Sequence, residues 1–537
     1  MEVILVGLDG LEPTLVEEWE QDLPTLRSLR ERGSSGGVRS SDPPLSAPAW
    51  PWIFTGKQGG KHGCFGFTKR ESGGYGRTPV NYGDVHAESL WEALDAAGVS
   101  CGVANVPLSY PPSDLDHGYV VAGWPVPNRV TVSEPPGVVE TVERHLDERY
   151  RVHPFSMGPE LQRASDEEVL ADLTDGLWHH QRAFETLVRE TDVDVFFCVF
   201  MASDVGGHYL GRNRELLHDL YVEVDSALGE LLEACPSGVD VVVMSDHGHA
   251  ALSDWNFYIN EWLRQEGYLA VGDATETDFR SLLRRAGLTR DRLVGVKSAL
   301  GVDDIRSRLP QPVFDALRRV VPPADPGSEG FAPDRVEWER TEAYSPDQNV
   351  VYLNAEETHP QGTVAAADAE RTADEIEAKL RELDHPEPGR DDRLVTSVGR
   401  KEAVFRGPFT PHAPALVPIA DDMRVTVQTG FNDGEVFARD EWSEHRQVGT
   451  LVTAGPSFGQ TADVDERSIL DVYPLVLELV DTAVPENVDG EVPGDRLSYD
   501  PDPATRESND GRSEAREYTD DEREEVRDQL NSLGYLE

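Results

Sequence analysis

Three stretches, VILVGLDG (3–10), VFFCVFMASDVGGH (195–208) and VDVVVMSDHGH (239–249), share one plan: a short apolar run that ends in Asp, His or both. Runs this short, bounded by turn residues and apolar at nearly every position, suit strands buried on both faces of a parallel sheet. Working outward, 100–106 reads as a fourth strand, and helical patterns occupy 23–32, 89–97, 166–191 and 213–234. This alternation predicts an α/β fold: a doubly wound, mostly parallel central sheet with helices on both faces. Ligands of such sheets bind beyond the carboxyl ends of the strands. Asp9, Asp204, His208, Asp246 and His247 all fall there.

Further along, strand-like sequence at 336–344 and 350–354, a charged helix at 366–383, a strand at 451–454 and a helix at 469–479 extend the same core. We therefore expect a main domain of residues 1–261 and 334–495. Residues 262–333, dense in Arg, Asp and Pro, are expected to form a mainly helical insertion or lid. Residues 496–537 are expected to be a polar linker followed by a helix at 518–533, with Thr519 at its start and Gly534 as its stop.

The 537 residues hold 100 acidic side chains against 49 basic ones, a formal charge of −51. A phosphate backbone would be repelled, so nucleic acid is excluded as an ordinary electrostatic partner. Only six of the basic residues are Lys. Acid spread along the whole chain, with Lys so scarce, points to a protein kept soluble in concentrated salt, where the screening length shrinks to about 3 Å at 1 M. The opening residues have the character of a strand rather than a signal peptide, and the longest apolar run, 195–202, is far short of a membrane span. Cys64, Cys101, Cys198 and Cys235 show no paired spacing, so free thiols in a reducing cytoplasm are expected.

Mixed Asp and His donors suit Zn²⁺ or Mn²⁺ better than Mg²⁺ or Ca²⁺. Taken singly, Asp246-His247 reads as a turn with a cap. Asp204 and His208 read as a helix-start pair, although two intervening glycines favour a loop. All three strand ends together favour metal. A further segment, PPLSAPAWPWIFTGKQGGKHG (43–63), places Ser46 just before a helix. Alone it would be an N-cap. Beside a cation and at the positive end of the helix dipole it becomes a nucleophile. Lys57, Lys61 and His62 fit a loop better than a phosphate cradle, because the spacing of a P-loop is absent.

This ordered set resembles the alkaline phosphatase superfamily, and within it the type I phosphodiesterase/nucleotide pyrophosphatase branch, over residues 3 to about 480. The resemblance implies two divalent metal ions, with Zn²⁺ as first choice and Mn²⁺ as second. Asp9, Asp246, His247 and the Ser46 oxygen would hold one ion, and Asp204, His208 and a late His the other. His445 in WSEHR (442–446) matches that last position better than His412 in FTPH (409–412). The implied activity is hydrolysis of a small phosphate ester, a diester by preference, through a phosphoseryl intermediate on Ser46. A phosphomonoesterase or phosphotransferase of the same superfamily, or a non-catalytic metal-binding module, are the alternatives. A sulfatase is disfavoured, since Trp50 stands where its modification motif needs Arg. The stretch from Ser46 to Trp52 offers no Arg to meet a monoester dianion. Its two indoles, Trp50 and Trp52, either wall the substrate or pack beneath the helix. Oligomeric state is not written in the motifs.

The charge excess carries its own expectation. Circular dichroism across roughly 0.1 to 3 M KCl should show ordered structure increasing with salt, because repulsion among uncompensated carboxylates is unscreened at low ionic strength. A response flat across that range would remove the salt-adapted reading.

Overall fold

The computed structural model describes residues 1–127, 130–156, 161, 164–272, 330–460, 465–510 and 517–532. Its centre is a nine-stranded sheet in the order Arg467–Ser468, Gly33–Arg39, Val448–Ala454, Asp240–Met244, Val3–Leu8, Val195–Phe200, Cys101–Val106, Gly118–Ala122, Ser133–Glu134. The strands from Asp240–Met244 to Gly118–Ala122 run parallel, and Val448–Ala454 lies antiparallel to both of its neighbours. Every residue of Val3–Leu8 and Val195–Phe200 is buried, as their unbroken apolar runs require. The helices Pro24–Arg32, Asp166–Glu190, Ala202–Leu210 and Arg214–Ala234 pack together as one group. Ser46–Thr55, Leu90–Ala96 and Val472–Leu479 pack as another. The expected doubly wound, mostly parallel architecture is the one observed.

Register decides where chemistry can happen. Leu8 lies beside Phe200, and Gly7 beside Met244, so three central strands end flush. Whatever follows each of them is delivered to one edge. The neighbouring strands Asp240–Met244 and Val448–Ala454 also continue, through short links, into an antiparallel ribbon of Gly248–Tyr258 and Phe437–Arg446. This ribbon, joined by Thr426–Gln428, rises from that same edge.

Several elements differ from expectation. Residues 336–344 hold one 3-10 turn, Trp338–Arg340, and a two-residue strand, Ala343–Tyr344, which pairs with Tyr352–Leu353. Gly33–Arg39, sequence GSSGGVR, has poor strand propensity but forms a full strand. Its glycines admit close backbone approach: a Cβ on Gly33 would stand 1.9 Å from the Thr453 carbonyl oxygen. Phe257, Trp262, Trp338, Ile376, Leu380 and Leu416 belong to a second apolar core apart from the one under the main sheet. The insertion expected over 262–333 falls mostly outside the described residues. No helix among the described residues is long and apolar enough to cross a membrane.

The stretch expected as a polar linker is strapped down. Thr505–Arg506 pairs with Val484–Pro485. The Lys57 side chain is only 1% exposed, and its Nζ meets Asp510 Oδ1 at 2.5 Å and Ser508 Oγ at 3.2 Å. The following helix, Asp520–Ser532, starts at a capping box of Thr519 and Glu522 and packs on Arg77–Pro79. Removing one partner of a buried pair strands the other. Asp510→Ala should therefore cost about 3 kcal/mol of stability, measured by urea unfolding at constant KCl. A loss well below about 1 kcal/mol would mean that Lys57 reaches water instead.

Candidate metal centre

Asp9 directly follows the first strand and is held in three ways. Its Oδ2 accepts from Trp50 Nε1 at 3.1 Å, its carbonyl accepts from Ser203 Oγ at 2.6 Å, and the next residue, Gly10, donates its N–H to Asp246 Oδ1 at 3.2 Å. Gly10 has φ +67, and a Cβ there would stand 2.9 Å from the backbone of Asp204. Only glycine serves this turn. Trp50 is therefore not a substrate wall. It lies buried under the helix, its ring over Gly7 and near that of Phe197, orienting Asp9.

Asp204 and His208 lie one turn apart on the helix Ala202–Leu210 rather than in the loop that their glycines suggested. These glycines serve close packing. A Cβ on Gly206 would stand 2.1 Å from Leu220, and one on Gly207 would stand 2.5 Å from the His249 ring. Ser46 is the first residue of Ser46–Thr55, not its cap: the cap position is Leu45, and no side chain caps this helix. Ser46 Oγ instead faces His247 Nε2 at 3.1 Å. Asp246 and His247 occupy the link between the Asp240–Met244 strand and the ribbon, and His445 lies opposite His249 across the ribbon.

All seven sequence-predicted residues are thus brought to one edge. His208 Nε2 stands 3.0 Å from His445 Nε2, and these lie 3.6 and 3.4 Å from Asp204 Oδ1. His247 Nε2 lies 3.3 Å from Asp246 Oδ2 and 3.7 Å from Asp9 Oδ1. Asp204 belongs to both groups, since its ligand atoms also lie within 4.8 Å of those of Asp9 and His247. His412 is exposed and lines a separate cavity of about 300 Å³ with Arg70, His359 and Phe409. Sequence reasoning missed His249, whose Nε2 is 2.8 Å from Asp204 Oδ1. The signal was present in SDHGH (245–249), two residues beyond the accepted pair.

The hydrogen bonds on the far side of the rings set their tautomers. Nδ1 of His208 donates to the Ser443 carbonyl at 2.8 Å, Nδ1 of His445 to that of Pro44 at 3.0 Å, and Nδ1 of His247 to that of Gly248 at 3.1 Å. Each Nε2 then points a bare lone pair inward, and two such lone pairs at 3.0 Å repel unless a proton or a cation lies between them. Asp9 Oδ1 and Asp246 Oδ2 are buried with no hydrogen bond. Burial, reinforced by neighbouring carboxylates, pushes Asp9 well above the usual range and Asp246 up to about 7. Burial also raises the cost of charging Asp204, but attraction to His208 and the neighbouring rings, felt when a proton or cation lies among them, outweighs it and holds that carboxyl well below its ordinary value. Inward lone pairs, unpartnered carboxylate oxygens and ring N–H groups anchored to carbonyls are the donor set that a divalent cation fits.

A sequence profile of the family described as Type I phosphodiesterase / nucleotide pyrophosphatase matches residues 3–449. Among solved structures, murine ectonucleotide pyrophosphatase / phosphodiesterase 5 is similar at a TM-score of 0.50 and 13% identity, over 93% of this chain and 100% of that one. Phosphonoacetate hydrolase from Sinorhizobium meliloti 1021, in complex with phosphonoformate, is similar at 0.51 and 15% identity, over 88% of this chain and 94% of that one. At such identities the likeness concerns the fold. No curated protein matches the sequence significantly.

This geometry separates the two late histidines. His445→Ala should lower the metal content of the purified protein by one site, read by elemental analysis, whereas His412→Ala should leave it unchanged. The opposite pattern would exclude His445 as the ligand.

Proposed function

The chain belongs to the type I phosphodiesterase / nucleotide pyrophosphatase family, and on that premise we propose that it is a phosphodiesterase that works through a phosphoseryl intermediate on Ser46. The observation that carries this reading is Ser46 Oγ itself. It lies buried at the start of a helix, 3.1 Å from His247 Nε2 and on the rim of the Asp and His cluster. Asp9, Asp246, His247 and the Ser46 oxygen would hold one cation, and Asp204, His208 and His445 a second. The mixed Asp and His donor set suits Zn²⁺ first and Mn²⁺ second. Two such ions would supply the positive charge that a phosphate ester needs before an anionic oxygen can approach it.

The protein's own contribution is placement. The positive end of the Ser46–Thr55 dipole favours the serine alkoxide. Ser46 Oγ gives up its proton to solvent and attacks phosphorus in line with the leaving ester oxygen. The P–O bond to that oxygen breaks, and the departing alcohol takes a proton from solvent. Water then attacks the phosphoseryl ester from the opposite side, releasing the phosphoric monoester and returning the hydroxyl to Ser46. Trp50 keeps Asp9 aligned throughout, and the carbonyls of Ser443, Pro44 and Gly248 keep the three rings turned inward. We take the acid excess to place this work in a salt-rich cytoplasm.

Preference for a diester follows from the placement of positive charge. A monoester dianion needs a further cation such as Arg. Arg39 is paired with Asp42, and Arg77 is engaged by Asp347 and Thr68. In roughly 2–3 M KCl with Zn²⁺ or Mn²⁺ supplied, kcat/KM for bis(4-nitrophenyl) phosphate should exceed that for 4-nitrophenyl phosphate. Ser46→Ala should lower the former by about 10³-fold or more. Faster monoester turnover would move the protein to the phosphatase side, and an active Ser46→Ala variant would remove the covalent mechanism.

A further inference from the structure

His249 stands apart from the other histidines of the cluster in how it is admitted. Its ring occupies a slot between two ligand-bearing elements, bounded by glycines. A Cβ on Gly207, next to His208, would stand 2.5 Å from the ring Cδ2, and a Cβ on Gly10, next to Asp9, would stand 2.9 Å from the same atom. Its backbone is pinned as well: the N–H donates to Glu12 Oε2 at 2.9 Å, while Glu12 Oε1 meets Arg446 of the facing strand at 3.3 Å. Residues directly opposite across an antiparallel pair present their side chains on one face. His249 and His445 are such a pair.

We propose that His249 is a fourth protein ligand of the second cation, so that Asp204, His208, His249 and His445 form a closed site of three imidazoles and one carboxylate. This rests on the two-cation reading above. The four donor atoms lie within 4.8 Å of one another. Four donors arranged tetrahedrally at ordinary Zn²⁺ bond lengths stand about 3.3–3.4 Å apart. The observed separations of 2.8, 3.0, 3.4 and 3.6 Å bracket that spacing. Nδ1 of His249 is buried without a hydrogen bond. It stays so whether Nε2 carries a lone pair or a proton, so it does not choose between ligation and simple donation to Asp204. Convergence of the four donors does. Structural metal sites are closed in this way, while catalytic ones keep a position open. The two halves of the centre thereby divide their work. The His-rich half supplies charge, and the half built from Asp9, Asp246 and His247 keeps the reacting Ser46 oxygen.

Two substitutions separate ligation from positioning. His249→Phe keeps a ring in the slot but has neither lone pair nor donor. His249→Gln keeps an N–H that can donate to Asp204 but is a poor ligand. Wild type and both variants, checked for folding by circular dichroism in the same KCl, would be loaded with Co²⁺ and titrated against a chelator while the visible absorption is followed. If His249 ligates, both variants should bind one of the two ions more than about 100-fold more weakly, beyond the roughly 10–100-fold typical of an outer hydrogen-bonding partner. The intense bands of four-coordinate Co²⁺ should fade with it. Wild-type affinity and spectrum in His249→Gln would overturn the proposal in favour of a hydrogen bond to Asp204. Unchanged binding in both variants would overturn it outright. A wild type that binds no metal would defeat the two-cation reading first, before His249 came into question.

Discussion

Asp9, Asp204 and Asp246 lie buried at one edge of the sheet, and the repulsion among them is what the surrounding structure has to answer. Removing water from a carboxylate is costly, and placing a second one beside it compounds the cost. The groups that face these three are imidazoles, an indole N–H and a backbone N–H. Such groups orient an anion but neutralise it only in part. The remaining charge is met either by a proton on Asp9 or Asp246, whose carboxyls are pushed upward, or by a cation, and a cluster whose rings have their ring N–H groups tied back to carbonyls is already arranged to receive one. A fold built for stability alone would have filled this edge with apolar side chains, as it did the strands behind it.

The arrangement is enforced by elements that are individually rigid. Flush parallel strands deliver Asp9 and the start of the Asp204 helix side by side, and the crossover into the ribbon brings His445 back from a point more than 200 residues later in the chain. Close approach is paid for in glycine. Gly10, Gly206 and Gly207 lack a Cβ where one would collide with Asp204, Leu220 or His249. Without those gaps the helix Ala202–Leu210 would stand off from the sheet edge, and Asp204 could not belong to both halves of the centre.

Much of this was legible in the sequence. Strands of unbroken apolar residues ending in Asp or His announce both the parallel sheet and its active edge, because burial on two faces leaves only the strand end free to carry polar chemistry. What was not legible has local physical reasons. Gly206 and Gly207 carry a loop propensity that tertiary packing overrides, since Leu220 and His249 need the space their side chains would take. Ser46 has the composition of a cap, but its hydroxyl turns to His247 instead. The ribbon was missed because SDHGHAALSDW (245–255) is polar and interrupted, and its pairing with Phe437–Arg446 becomes favourable only once both strands are launched from adjacent members of the main sheet. The tail at 499–510 looks disordered by composition, but Lys57, buried far upstream, draws Asp510 onto the body of the protein.

The surface and the centre impose opposite electrostatic demands. A chain with a formal charge of −51 repels an anionic ester at long range, while in the proposed reaction the ester would end against a site completed by cations. In dilute buffer the first effect would dominate the approach, because the field of the whole protein extends about 10 Å or more from its surface at 0.1 M salt. In molar salt that range falls to about 3 Å, shorter than the distance between an approaching phosphate and most of the exposed carboxylates. The buried charges of the centre are screened far less, since water and ions reach them poorly. Concentrated salt therefore silences the repulsive surface and leaves the attractive site intact, so an acid coat suited to solubility in brine is compatible with a phosphate ester as substrate.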